Sequence, residues 1–188
     1  MNYLNRIQSQ ARLKGAIDKL KRQGKRIAFT NGCFDILHYG HIKYLQDAKR
    51  ASDVLVLGLN SDASVKKIKG KKRPLNKQTD RGRVLAALSC VDYITVFNQD
   101  TPLKLIKLLK PDILIKGGDW KADKIIGAEF VKSYGGQVKT IPYLKGYSTT
   151  GLIARILGAK KSIKRAENRQ KVIAACLPAR QEGDFLDG

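Results

Sequence analysis

Acidic residues are scarce in this chain: 16 Asp and Glu stand against 37 Lys and Arg, a formal charge of +21 over 188 residues. That imbalance raises nucleic acid as a partner. Much of the excess is local, however. Lys66, Lys67, Lys69, Lys71, Lys72 and Arg73 crowd one expected loop, and Arg6, Arg12, Lys14, Lys19, Lys21, Arg22, Lys25 and Arg26 decorate the N-terminal segment. A basic loop over a site equally serves to capture small anions, so nucleic acid is the less favoured partner. Cysteine is also sparse. Cys33, Cys90 and Cys176 are odd in number, far apart and without metal-ligand spacing, which speaks against a disulfide framework and fits a reducing cytoplasm. No apolar run is long enough to cross a bilayer and no signal-peptide pattern is visible, so a soluble cytoplasmic protein with no membrane span is expected. There is no G-x-S-x-G elbow, no carboxylate cluster of the two-metal kind and no internal repeat.

The length suits one ordinary domain with extensions and is too short for two full domains. Apolar runs at Ile27–Thr30, Val54–Leu59, Tyr93–Phe97, Ile113–Lys116 and Gln137–Ile141 predict strands. Between and after them, helices are predicted at Tyr39–Lys49, Lys77–Leu88, Pro102–Leu109, Gly127–Tyr134 and Thr149–Leu157, with Pro102 in a first turn and Thr101 or Asp100 as its cap. This alternation implies an α/β fold with a doubly wound, mainly parallel five-stranded sheet. In such a sheet ligands gather outside the carboxyl ends of the strands, where Asn31, Asn60, Gly117 and Tyr143 should meet. Before the sheet, Leu4, Ile7, Ala11, Ile17 and Leu20 recur at helical intervals up to Gly24, predicting a helical extension over 1–24. The central domain is expected over 25–157. A basic C-terminal extension over 158–188, a short helix followed by a tail, completes the expected organisation.

Both histidines of the chain fall in one stretch, Thr30-Asn31-Gly32-Cys33-Phe34-Asp35-Ile36-Leu37-His38-Tyr39-Gly40-His41, between the first strand and the first core helix. His38 and His41 sit at i and i+3 on a helix start, where they can aim at one group. Free backbone N–H groups and the helix dipole already favour an anion there. Two imidazoles add directional donors, and Gly40 permits close approach of a ligand.

His38-Tyr39-Gly40-His41 resembles the HxGH signature of a nucleotidyltransferase superfamily. With Asn60-Ser61-Asp62, Lys69-Gly70-Lys71-Lys72-Arg73-Pro74, Arg81, Lys116-Gly117-Gly118-Asp119 and Ser148-Thr149-Thr150 in order, the stretch from about Lys25 to Leu157 resembles the heptose 1-phosphate adenylyltransferase family. The resemblance implies a Rossmann-like, HIGH-type nucleotidyltransferase fold and adenylyl transfer from ATP to D-glycero-β-D-manno-heptose 1-phosphate, for lipopolysaccharide inner-core synthesis. It also implies Mg2+ carried by the triphosphate with no protein metal ligand, a homodimer, and a heptose kinase on a separate chain.

The resemblance further implies site roles. His38 and His41 would contact the triphosphate, Lys72 or a neighbour the α-phosphate, and Arg81 the acceptor phosphate or site wall. Thr30, Asn31, Gly32, Phe34, Asp35 and Gly40 would form the nucleotide turn. Gly117, Gly118, Asp119 and Trp120 would touch ribose and base, and Ser148, Thr149 and Thr150 the β- and γ-phosphates. Asn60, Asp62 and Lys116 would face the sugar. Rivals within the superfamily are a cytidylyltransferase acting on glycerol 3-phosphate or a related phospho-alcohol and, more distantly, an FAD synthetase-like nucleotidyltransferase. The cytidylyltransferases typically carry Arg-Thr-Glu-Gly-Ile where this chain has Tyr143-Leu144-Lys145-Gly146-Tyr147. A rival of another class is a non-catalytic, basic RNA-binding module on the same fold.

Overall fold

A computed structural model describes residues 2–118, 120–121 and 124–159. The chain divides into two units, 1–149 and 150–188, and the first holds the sheet. Five strands, β1 (Ile27–Gly32), β2 (Val54–Asn60), β3 (Tyr93–Phe97), β4 (Ile113–Gly117) and β5 (Gln137–Ile141), lie in the order β3-β2-β1-β4-β5. All four pairings are parallel, so the expected doubly wound α/β sheet is the observed one.

The two faces of the sheet separate by the alternation of side chains along each strand. On one face Ala28, Leu55, Leu57, Ile113 and Ile115 pack against α2 (Tyr39–Arg50), through Tyr44, Leu45 and Ala48, and against α4 (Gln78–Ala86), through Leu85 and Ala86. On the other face Ile27, Phe29, Val56 and Leu114 meet Leu13 and Ile17 of α1 (Gln10–Arg22), Leu105, Ile106 and Leu109 of α5 (Leu103–Leu109), and Val131 of α6 (Ala128–Ser133). Burial on both faces is why the central strands read as unbroken apolar runs. Each fully buried Leu or Ile contributes about 1.5–3 kcal/mol relative to exposure.

Three local expectations are corrected. The N-terminal segment is not one helix: a 3-10 turn, Tyr3–Arg6, precedes α1, and Ser9 caps α1 by accepting from the Arg12 amide. Between them the chain is extended, with Ile7 bridging to Ile94 and the Gln8 amide donating to the Ile94 carbonyl at 2.9 Å, so the break covers part of an otherwise open edge of β3. The lysine run expected as a loop is half helix. Ser61 accepts from the Ser64 amide at 3.1 Å and starts α3 (Asp62–Lys69), which buries Ser64 and Val65 and carries Lys66, Lys67 and Lys69. Pro102 precedes α5 instead of opening it, and no side chain caps that helix. Helical residues also run over 149–159; those from Thr150 onward belong to the second unit, and the C-terminal tail expectation falls from residue 160 outside the described residues.

The strand order turns between β1 and β4, and there the sheet opens. β1 pairs with β2 from Ile27 to Gly32, but with β4 only at Ala28↔Ile113 and Phe29↔Leu114. Beyond that the strands part, and the Tyr44 hydroxyl spans them, 2.5 Å from Thr30 Oγ1 and 3.4 Å from the Ile115 carbonyl oxygen. Burial pushes the Tyr44 pKa up, so the phenol stays protonated and its hydroxyl keeps a proton to donate. Thr30, expected at the nucleotide, is instead fully buried with its hydroxyl engaged in this bridge. Tyr44→Phe leaves the Thr30 hydroxyl without that partner and should lower stability by about 1–2 kcal/mol. Urea unfolding midpoints check this, and an unchanged midpoint would show that the bridge contributes nothing.

Candidate functional site

His38 is the N-cap of α2, but its side chain makes no capping bond; its backbone carbonyl instead accepts from His41 N at 2.9 Å and Ile42 N at 3.3 Å. The ring is thus left to the site. It stacks on the His41 ring with centroids 3.9 Å apart at 27°, while the Phe34 ring lies 5.4 Å from His41. Both Nδ1 atoms are buried, and among the described residues neither has a hydrogen-bond partner. Buried polar atoms are normally satisfied, so two orphans on one stacked pair call for a ligand. Burial, with the adjacent His38 as a lesser cause, takes the His41 pKa down to about 4, and burial lowers that of His38. At neutral pH His41 is therefore an uncharged ring with one donor and one acceptor nitrogen.

Small residues make room around the pair. A Cβ on Gly40 would stand 2.9 Å from the Tyr147 Cβ and 3.1 Å from the His38 ring. Tyr147 in turn lies edge-on to Tyr39 at 5.5 Å, so the segment before Ser148 closes on the histidine turn. The Tyr143 ring covers the end of β4, where a Cβ on Gly117 or Gly118 would meet it at 2.8 Å, and Gly118 holds φ +105°. Gly32 is crowded in the same way by the Phe34 ring. Of the four residues expected to meet at the strand ends, Asn31, Gly117 and Tyr143 lie around the opening between β1 and β4, while Asn60 ends β2 and donates to Ser64 Oγ.

A family model described as cytidylyltransferase-like matches residues 29–155. The chain belongs to the cytidylyltransferase-like family. Among curated relatives it is 52% identical over 157 residues to "Bifunctional protein HldE" of Syntrophotalea carbinolica, covering 84% of this chain and 32% of that protein. The HldE of Geobacter sulfurreducens is 56% identical over 147 residues, 78% of this chain and 30% of that one. The chain therefore spans about a third of the length of the curated relatives it matches. Among solved structures it resembles the lipopolysaccharide core biosynthesis protein from Thermoplasma volcanium, at TM-score 0.53 and 31% identity, over 66% of this chain and all of that one. A pantoate-beta-alanine ligase from Francisella tularensis, at TM-score 0.52 and 16% identity over 74% of this chain and 67% of that one, shares the fold.

In this cytidylyltransferase-like chain two charged residues expected at the ligand serve as ties. Asp35 is buried, pairs with Arg73 at 2.8 Å and accepts from the Leu75 and Asn76 amides at 2.8 and 2.9 Å. It fastens the segment after Lys72 to the histidine turn, and Lys72 itself is exposed. Arg81 is 2% exposed and donates to the carbonyls of Asn76, Cys33 and Asn60 and to the Asp62 carboxylate. Its guanidinium is therefore filled by protein acceptors and joins the β1 turn, the β2 end and the 76 segment. Asn60 donates to Ser64 Oγ at 2.9 Å, so Asn60 and Asp62 both have partners within the fold. Lys116 Nζ reaches Asn31 Oδ1 at 3.4 Å, and Trp120 is 53% exposed. Ser148 and Thr149 follow Tyr147 at the start of the 149–159 helix, Thr150 belongs to the second unit, and Asp119 lies outside the described residues.

Sequence reasoning missed Tyr44, Arg73 and Tyr147. Tyr44 stands at i+3 from His41, which places it on the same helix face and was a usable signal. Arg73 gave none, since only the folded loop separates it from its lysine neighbours.

Two outcomes follow from the burial of these groups. Asp35→Ala leaves the largely buried Arg73 unpaired and two amides without their acceptor, so a loss of about 3–5 kcal/mol is expected in chemical denaturation. A loss within error would show that the tie is dispensable. For His41, the unfolded ring protonates near 6.5 and the folded ring only near 4. The unfolded state then binds more protons in that interval, so stability is full above 6.5 and declines as pH falls towards 4. His41→Gln should flatten the decline between pH 7 and 5 measured by urea midpoints; parallel curves would mean the ring is not held neutral.

Proposed function

We propose that the chain transfers the adenylyl group of ATP to D-glycero-β-D-manno-heptose 1-phosphate, giving ADP-heptose and pyrophosphate. The observation that carries this reading is the stacked His38–His41 pair, with two buried nitrogens unpartnered among the described residues, at a helix start beside the opening between β1 and β4. The family match and the relatives named HldE support the reaction class, and the name of the Thermoplasma protein supports its lipopolysaccharide setting. The upstream phosphorylation of the sugar belongs to a kinase activity, and the reaction is placed in the cytoplasm, where ATP is available.

A sugar phosphate oxygen attacks the α-phosphorus in line as the bond to the bridging oxygen breaks and pyrophosphate leaves. No protein nucleophile is needed, so the chain's contribution is alignment and stabilisation of charge on the equatorial and leaving oxygens. His38 and His41 supply donors whose orientation is fixed by stacking. Lys72, tied beside the turn through Arg73 and Asp35, supplies a cation to the α-phosphate, and Ser148 and Thr149 supply hydroxyls to the outer phosphates. Mg2+ offsets phosphate charge and arrives on the triphosphate. Among the described residues no group of three or more His, Cys, Asp or Glu could hold it, and Asp35 and Asp62 are both engaged by arginines.

Pyrophosphate release across sugar phosphates and nucleoside triphosphates tests the reading. ATP should be the better donor, because Tyr143-Leu144-Lys145-Gly146-Tyr147 lacks the arginine of the cytidylyltransferase run. His41→Ala should keep its circular dichroism spectrum and lose at least about 100-fold in kcat, the cost of one preorganised donor, roughly 3 kcal/mol. Preference for CTP would overturn the nucleotide assignment, and wild-type turnover in the variant would remove His41 from the mechanism.

A further inference from the structure

The two helical layers of the sheet differ in how their charges are paired. Over one face, α2 and α4 carry Lys43, Lys49, Arg50, Arg81 and Arg83, and each has a carboxylate partner: Lys43 and Arg50 share Asp47, Lys49 takes Asp92, Arg81 takes Asp62 and Arg83 takes Asp80. Over the other face, α1, α5 and α6 carry eight Lys and Arg against Asp18 and Glu129. Among the described residues only Lys14 and Lys21 are paired there, with Asp18 and Asp112. Arg12, Lys19, Arg22, Lys104, Lys107 and Lys132 are all exposed and form no ion pair among the described residues.

These six cations share one surface. On α1 the stripe of Leu13 and Ile17 faces the sheet, so Arg12, Lys19 and Arg22 stand on the solvent side, Arg12 and Lys19 at i and i+7. Lys104 and Lys107 are neighbours at i and i+3 on α5, whose Leu105, Ile106 and Leu109 are buried. The layer is continuous. Lys21 Nζ of α1 donates to the Lys110 carbonyl that ends α5, and Lys107 Nζ lies 5.8 Å from the centroid of the Phe130 ring on α6. The other exposed positions of the three helices are Ala11, Gly15, Glu129 and Ser133, so no exposed ring or large apolar side chain interrupts the cations.

That make-up selects the partner. Single-stranded nucleic acid is held by rings that stack on bases as well as by cations, and a protein partner needs a desolvated apolar or aromatic centre; this surface offers neither. A layer of anionic lipid headgroups needs only cations brought to one level, without complementary shape. We propose that the α1–α5–α6 face docks reversibly on an anionic phospholipid surface through these six residues. The histidine pair starts α2 on the opposite side of the sheet, so docking leaves its turn uncovered. The contact does not depend on the adenylyl-transfer reading. It weakens as salt screens it, the Debye length being about 8 Å at physiological ionic strength.

The full chain is sedimented with vesicles of phosphatidylcholine alone and with vesicles of equal parts phosphatidylcholine and phosphatidylglycerol. Binding is expected to the anionic vesicles only, and it should fall as salt is raised. Each cation facing the headgroups is worth roughly fivefold in partitioning, so Lys104→Gln combined with Lys107→Gln should lower it by about 25-fold, and Arg12→Gln combined with Lys19→Gln by a similar factor. The charge-matched control on α2, Lys43→Gln combined with Arg50→Gln, should lower it less than about twofold, because those charges lie more than a Debye length from the headgroups. All three variants keep residues 160–188 unchanged, so any attraction from that basic segment is common to them. The two test pairs sit on different helices, and a misfolded variant of one, seen by circular dichroism, leaves the other to decide. Equal losses in the test pairs and the α2 control overturn the face, and so does a wild type that ignores the anionic vesicles. Mixed RNA bound more tightly than those vesicles at the same salt overturns the lipid assignment.

Discussion

Everything at the candidate site depends on β1 and β4 ceasing to pair after Phe29↔Leu114 while both strands run on. A sheet that changes direction must have adjacent strands whose connections leave on opposite sides, and the space between their ends stays uncovered. Parting strands expose backbone and side-chain polar groups, which must find partners. Here two side-chain contacts do so from opposite faces. Tyr44 reaches Thr30 and the Ile115 carbonyl from the α2 side, and Lys116 reaches Asn31 from the α5 side. Side chains thus span the opening, with Gly32 and Gly117 keeping its α2 rim free of Cβ atoms.

The positive charge sorts into two kinds around that opening. Arg73 and Arg81 are largely buried, paired with Asp35 and Asp62, and bind turn to loop to strand. Guanidinium suits this work because its fork of donors can satisfy several fixed carbonyls at once, as Arg81 does. Lys69, Lys71 and Lys72 stay exposed on the tied segment. Lysine is a mobile point charge and loses less by waiting in water for an anion. The arginines therefore define where the lysine segment is anchored, and the lysines supply charge the ties have not neutralised.

The sheet was legible because strands buried on both faces must be continuous apolar runs, and β1 to β4 are. The histidine turn was legible because a helix start with two imidazoles at i and i+3 has few structural uses. What escaped was tertiary. Lys66–Lys69 reads as solvated loop, since only Ser64 and Val65 of α3 are buried and the cap at Ser61 is a single hydroxyl. Asp35 and Arg81 look like ligand groups in sequence because they neighbour the motifs, and only folding reveals that their partners are Arg73, Asp62 and backbone carbonyls. Composition counts every arginine as free charge, whereas Arg73 and Arg81 are engaged inside the fold.

The neutral state of the histidines links these features to the proposed chemistry. A permanently charged pair in that position would repel itself across 3.9 Å and would hold a counter-ion in the resting site. Neutral rings avoid both costs, and burial keeps them neutral at physiological pH. In the proposed reaction an arriving triphosphate would favour N–H donors, and a ring whose neutral form is favoured by dry surroundings would then have an anion beside it that favours the proton. Ligand binding and protonation would then reinforce each other, so that the charge would appear with the substrate it stabilises. The stacking of the rings, set by the N-cap geometry of His38, fixes the direction of those donors before any ligand is bound, which is the condition for electrostatic stabilisation without reorganisation at the moment of transfer.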